Sequence, residues 1–209
     1  MAALADPSVT LANGLAFALE RVAALHSDCD LADPGTPSAT VAVLRQRHTE
    51  LDYLVLADSP VVLEHAEGDH TVITDLRVDD VLPELRAEVE SHETHTPGHR
   101  EALQRLVWAQ RQVRNTPDGY WVAGANPEAA QHCVTGSAKL SDIRSAAVMS
   151  DGVSRLVTEY GMATWDKAFT ILRTGGPQRL IQTVRKTEAM DPTGRRWPRY
   201  KSGDDASVA

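Results

Sequence analysis

Leu140–Tyr160 reads LSDIRSAAVMSDGVSRLVTEY, and the rest of the chain is organised around it. Its middle, Ala146-Ala147-Val148-Met149, has the character of a short buried strand that runs straight into Ser150-Asp151-Gly152. A helical pattern resumes at once with Leu156 and Val157. An apolar run of this length between turn signals is a core strand candidate. An acidic residue where such a strand emerges is held by the sheet yet faces solvent, which suits a metal ligand. Gly152 permits a tight turn beside it, so Asp151 is the first candidate for chemistry.

Upstream of this stretch the texture is that of a meander. Ala39–Leu44 and Leu51–Leu56 are strand candidates split by a polar turn at Arg47-His48, and the pair reads as an antiparallel hairpin. The second strand ends at Ala57-Asp58-Ser59-Pro60. A third begins at Val61-Val62-Leu63, Glu67-Gly68-Asp69 turns the chain, and Thr71–Thr74 forms a fourth. Short strands at this spacing exclude an all-helical fold. Tyr120-Trp121-Val122-Ala123 is a further strand candidate whose aromatic pair belongs to the core.

Helices flank these strands. Asp6-Pro7 has the form of an N-cap followed by a first-turn proline, and Leu11, Leu15, Ala18, Val22 and Leu25 then line one apolar stripe. Helical texture returns from Val81, is interrupted by His92-Glu93-Thr94-His95-Thr96-Pro97-Gly98-His99, and resumes from about His99 to Val113. Asn126-Pro127-Glu128 caps a short helix. Thr164 opens a helix that stops at Gly175-Gly176, and Pro177 starts another. Asp191–Gly203 is a basic loop, and Ser202–Ala209 reads as a turn into a final strand.

The 209 residues, 42% hydrophobic and 24% charged, suit one soluble domain with a substantial core. A net charge of −8 argues against a nucleic-acid surface, which needs clustered Lys and Arg. Nothing reaches the length of a membrane span, and MAALADPSV lacks the basic start and apolar centre of a signal peptide. Cys29 and Cys133 form neither a disulfide framework nor a zinc motif. The expectation is a bacterial-type cytoplasmic protein with two structural thiols.

Three aspartates share one context: Asp58 and Asp151 stand where an apolar strand ends, and Asp204 where one begins. Carboxylates gathered at one sheet rim repel each other and call for a cation. Ligation by oxygen alone points to Mg²⁺ or Mn²⁺. Two such ions about 4 Å apart can orient a phosphoryl group for in-line attack.

These residues carry a resemblance. Thr36–Leu44 (TPSATVAVL), Leu54–Leu63 (LVLADSPVVL), Val148–Val153 (VMSDGV) and Gly203–Val208 (GDDASV) resemble, in order and rough spacing, four motifs of the metal-dependent protein phosphatases of the type-2C (PPM) group. The resemblance implies an α+β fold, two stacked antiparallel β-sheets flanked by α-helices, with two or three Mn²⁺ or Mg²⁺ ions at one end. It implies that Asp151 bridges metal positions, that Asp204 is the closing ligand, and that Asp58 serves a third, weaker position. Ser150, Gly152 and Asp205 support them, with Asp205 where the family usually has asparagine. Ala57 and Pro60 depart from the pattern. The family's opening strands, which carry an arginine, a glutamate–aspartate pair and an aspartate–glycine, have no counterpart in Met1–Ser27. The expectation is therefore a single phosphatase-like domain, incomplete at its N-terminus: either the start is internal to a longer reading frame or the chain is a degenerate relative.

Plainer roles stand beside each assignment. Asp151 fits a helix cap, Asp204 a turn residue, and Asp58 an Asx-turn. His92, His95 and His99 with Glu93 form a rival zinc set, although Pro97-Gly98 breaks the helix that would align them. Arg195, Arg196 and Arg199 with Trp197 and Tyr200 form either a phosphate-contacting loop or a basic loop packed on an acidic body. Three functions follow: a serine/threonine phosphatase acting on phosphoproteins, a pseudophosphatase that binds a regulatory or substrate protein, and a histidine-site zinc hydrolase. None involves nucleic acid or a membrane.

Overall fold

The computed structural model of the chain describes residues 2–209. They divide into two compact units, one of residues up to Val81 with Arg111–Val148, the other of Leu82–Gln110 with Met149–Ala209.

The first unit opens with α1 (Ala2–Ala5) and α2 (Leu11–Ala24). Four strands follow: β1 (Val41–Arg47), β2 (Glu50–Leu56), β3 (Val61–His65) and β4 (His70–Ile73). A short α3 (Arg77–Asp80) comes next, and after the second unit's first segment the chain returns for β5 (Val134–Lys139) and β6 (Ile143–Val148). The strands make two antiparallel three-stranded sheets, ordered β1-β2-β5 and β4-β3-β6. Their facing sides share one core. Leu51 and Val55 of β2 meet Val61 and Leu63 of β3 and Ile73 of β4, with Ala42, Leu44, Ala146 and Val148 packed around them. Alternation along β2 sends Leu54 and Leu56 to the opposite side, where Leu11, Leu15 and Leu19 of α2, Trp121, Ala129 and Ala130 cover them. The expected two-sheet sandwich with flanking helices is therefore present.

Several elements differ from expectation. The cap of α2 is Thr10, whose Oγ1 accepts from the Asn13 N–H at 3.2 Å; Asp6 instead closes a turn with Ser8. The apolar stripe of α2 is only half covered: Val22 is 54% and Leu25 77% exposed, because the covering residues reach no further than Leu19. Residues 120–123 form no strand. Ala39 and Ala123 exchange a single pair of backbone bonds, and the Asn115 side chain takes the Val122 N–H at 2.8 Å, removing the donor a ladder would use. Tyr120 and Trp121 are nevertheless buried.

In the second unit α4 (Pro83–Glu90) and the part of α5 (Pro97–Val113) up to Gln110 pack through Val89, Ala102 and Leu106. Pro97 begins α5 rather than breaking a helix, as its fixed φ and missing N–H allow in a first turn. Next come α6 (Asp151–Thr158) and α7 (Trp165–Ala189), the latter kinked where Gly176 adopts φ 70°, ψ 179° before Pro177. The closing segment makes one antiparallel bridge, Met149 to Val208, instead of a strand.

Candidate functional site

Asp151 is the first residue of α6, and the helix is capped by the Ser150 backbone without a side-chain bond. The cap reading of Asp151 thus gives way to a first-turn acid, favoured there by the helix dipole. Ser150 ties the closing segment down. Its N–H donates to the Ser207 carbonyl at 2.9 Å, its hydroxyl donates to the Asp205 carbonyl at 2.8 Å, and its Oγ accepts from the Ser207 N–H at 3.0 Å. These bonds carry Asp204 to the start of α6, although the two aspartates are far apart along the chain. Gly152 does not serve a reversed turn, since it lies within α6. It is needed because a Cβ there would overlap the Asp205 carbonyl and lie 3.1 Å from the Asp204 Cβ.

What fills the space between the two carboxylates is Arg155. One terminal nitrogen lies 3.2 Å from Asp151 Oδ2, the other 3.2 Å from Asp204 Oδ2, and Nε is 3.2 Å from Glu159 Oε1. Lys201 Nζ holds Asp204 Oδ1 at 2.9 Å, and the Asp205 N–H donates to the same oxygen at 2.9 Å. The Asp204 N–H donates to Glu188, whose other carboxylate oxygen accepts from Arg185 at 2.7 Å.

Charge is shared unequally. Burial raises the Asp151 pKa; Arg155 pulls it back, Asp204 opposes that, and the net shift is upward. Burial acts on Asp204 as well, but the Lys201 ammonium, the Asp205 N–H and Arg155 outweigh it and the net shift is downward. Asp151 is thus the less well compensated carboxylate. Asp205, expected as a supporting residue, is exposed and contributes through its backbone.

Asp58 belongs to the first unit, on the turn between β2 and β3 where Ala57 takes φ 67°. Burial, and to a smaller degree the Asp58 carboxylate, pushes the Tyr120 phenol upward. The histidine set is dispersed in role. His99 is buried, its Nε2 3.1 Å from the Arg199 carbonyl oxygen, and Glu93 is engaged by Arg195. Arg199 is itself buried against Asp191, whose carboxylate also accepts from the N–H groups of Arg195, Arg196 and Trp197. The basic loop is therefore pinned by an acid beneath it, as its packed-loop reading expects.

Arg155 and Lys201 were not among the sequence candidates. A signal was present: Asp151, Arg155 and Glu159 alternate in sign at intervals of four, which places them on one helix face.

In kind, the donors suit a hard divalent ion, since Asp151 and Asp204 offer carboxylate oxygens that already converge on one cation. In number they make part of a shell. Among the described residues no group of three His, Cys, Asp or Glu could hold a metal. Nor, among those residues, is any helix long and apolar enough to cross a membrane.

No family model and no curated protein sequence matches this chain. Solved structures do match its fold. The serine-threonine phosphatase 2C from Toxoplasma gondii aligns with a TM-score of 0.55 at 10% identity, over 95% of this chain and 64% of that one. A bacterial serine phosphatase aligns at 0.50 with 12% identity, over 86% of this chain and 64% of its own. The chain spans less than two thirds of either relative. At these identities the likeness is one of fold: this chain has the type-2C (PPM) phosphatase fold.

Proposed function

We propose, from a fold shared with the type-2C serine/threonine phosphatases, that this chain is a phosphomonoester hydrolase domain acting on phosphoproteins in the cytoplasm. Its two units are read as one catalytic domain. The observation that supports the reading is the convergence of Asp151 and Asp204 on a single cation, the Arg155 guanidinium, at the N-terminus of α6. Asp151 and Asp204 would hold Mn²⁺ or Mg²⁺, and a bound ion would supply Lewis acidity toward a phosphoryl oxygen and a lowered water pKa. The chain's own residues supply position. Ser150 anchors the segment that bears Asp204, the Asp205 N–H orients its carboxylate, and Gly152 leaves room for that segment to approach.

The test is hydrolysis of an aryl phosphate and of a phosphothreonine peptide with and without Mn²⁺. The expected result is Mn²⁺-stimulated turnover that Asp151→Asn abolishes. Turnover that survives the substitution overturns the assignment of Asp151.

A second reading, a pseudophosphatase that binds a regulatory or substrate protein, is favoured by one observation: Arg155 and Lys201 already neutralise both carboxylates. It expects phosphopeptide binding with no Mn²⁺-dependent turnover.

A further inference from the structure

We propose that a cleft at the C-terminal end of α2 is a binding site for a small, uncharged aliphatic molecule. The cleft lies wholly within the first unit, and the inference is independent of the phosphatase-type reading.

One wall is helical. Leu19, Val22, Ala23 and His26 follow the spacing that places side chains on one helix face, and this face runs on past the residues that pack against Leu54 and Leu56. Val22 is therefore left half exposed at the cleft instead of being covered by the core. Residues 36–39 and 123–125 supply further walls, and their side chains are small enough to leave a hollow of about 440 Å³. That volume falls within the range of small-molecule sites, about 300–1,000 Å³. A stable protein contact instead buries a broad patch of about 800 Å² on each partner.

The polar groups of these walls are already engaged. Ala39 and Ala123 exchange two backbone bonds, each of 2.9 Å. Arg114 donates to Ser38 Oγ at 2.9 Å, to the Pro34 carbonyl at 2.9 Å and to Thr36 Oγ1 at 3.2 Å. The Thr36 hydroxyl donates in turn to the Asp33 carbonyl at 2.8 Å. What faces the hollow is mainly hydrocarbon, on which water finds few partners, so an aliphatic body gains by replacing it. No Asp, Glu, Lys or Arg lines the cleft, and an ionised head would lose its hydration without gaining a counter-charge. An anion is disfavoured further by the exposed Asp28 and Asp30 on either side of Cys29 in the chain. His26 Nδ1 and Cys29 Sγ, 3.9 Å apart, offer partners suited to a hydroxyl head.

The experiment titrates the 209-residue chain with octanol and, separately, with octanoate. It reads backbone amide shifts by nuclear magnetic resonance and the rate of Cys29 alkylation. Octanol is expected to saturate, with shifts centred on Ala23, Gly124 and Ala125, and to slow the alkylation of Cys29. Octanoate should bind about tenfold or more weakly. Ala23→Leu and Gly124→Leu fill the hollow from separate walls, and each should abolish saturation by octanol. Leucine suits a helix at position 23, and a Cβ at position 124 would sit 3.8 Å from the Asn115 amide, an ordinary contact. Both variants should therefore melt close to the parent, and if one fails to fold the other decides. Failure of octanol to saturate the parent, or saturation unchanged in a folded filling variant, overturns the site. Octanoate binding as tightly as octanol overturns the uncharged ligand class. Shifts of the same amides with protein concentration alone would put a second copy of the chain on this face and overturn the small-molecule assignment. None of these outcomes alters the Asp151→Asn hydrolysis test, which decides the proposed function separately.

Discussion

Gly152 on α6 and Asp205 on the closing segment approach so closely that a single added methyl group at position 152 would occupy the space of the Asp205 carbonyl oxygen. Gly152→Ala is expected to destabilise the protein by about 1–3 kcal/mol, the usual cost of overpacking a tight contact. It should also loosen the clamp of Ser150 on Asp205 and Ser207. Hydrogen exchange at the Ser150 and Ser207 amides, measured beside the thermal midpoint, checks both parts. An unchanged midpoint with full protection would mean the contact is not tight.

The kink of α7 makes a prediction whose sign distinguishes two structures. In a continuous exposed helix, Gly→Ala stabilises by about 1 kcal/mol. At Gly176, with φ 70° and ψ 179°, an alanine enters a region that only glycine occupies comfortably, at a cost of roughly 1–3 kcal/mol. Thermal unfolding of Gly176→Ala should therefore show a lowered midpoint. A raised one would indicate an unbroken helix.

Asp52 supports a pH-dependent part of the stability. It is 5% exposed and accepts from Arg45 at 2.9 Å, from Arg47 at 2.7 Å and from the Ser137 hydroxyl at 2.8 Å. Burial raises its pKa, the Arg47, Arg45 and Ser137 bonds outweigh that, and the net shift is downward. A carboxylate depressed in the folded state adds stability that is complete above its unfolded pKa of about 3.9 and disappears as pH falls through the folded value. Asp52→Asn should thus cost about 3 kcal/mol at neutral pH. The gap between parent and variant in urea unfolding should narrow below about pH 4. A gap independent of pH would show that charge at Asp52 is not what stabilises the cluster.

The two thiols should differ in reactivity. Burial pushes the Cys133 thiol up to about 11, with Arg77 opposing the shift and Asp75 adding to it, whereas Cys29 is exposed. Alkylation at mild alkaline pH in the folded state should label Cys29 and spare Cys133, because the thiolate is the nucleophile. Unfolding should make both react. Peptide mass analysis of the labelled protein reads the result, and comparable native rates would contradict the partial burial of Cys133.

Where sequence and structure agree, local signals were strong. The β1–β2 hairpin is legible in the apolar residues of Val41–Leu44 and Leu51–Leu56, and its strands are offset only slightly from the expected spans. The break at Gly175-Gly176-Pro177 was equally visible, as was the Asn126 cap, whose side chain accepts from the Glu128 N–H. Signals failed where a neighbour decided the outcome. VTGSAK has little intrinsic preference for a strand, yet it forms β5 because β2 offers it six residues to pair with. YWVA has that preference and remains irregular because Asn115 takes the Val122 N–H.

By itself the sequence determined the run of strands from β1 to β4, the strand-to-helix junction at Ser150-Asp151 and the residues able to carry charge beside it, since propensity and capping act over a few positions. Only the tertiary structure decided which charges meet. Ser150 brings the distant Asp204 beside Asp151, and the helical pitch swings Arg155 between them, so two candidate ligands become a salt-bridged triad. The physical reason is that electrostatic partnership depends on separation in space and on exclusion of water, and the packing of α6 against the closing segment sets both.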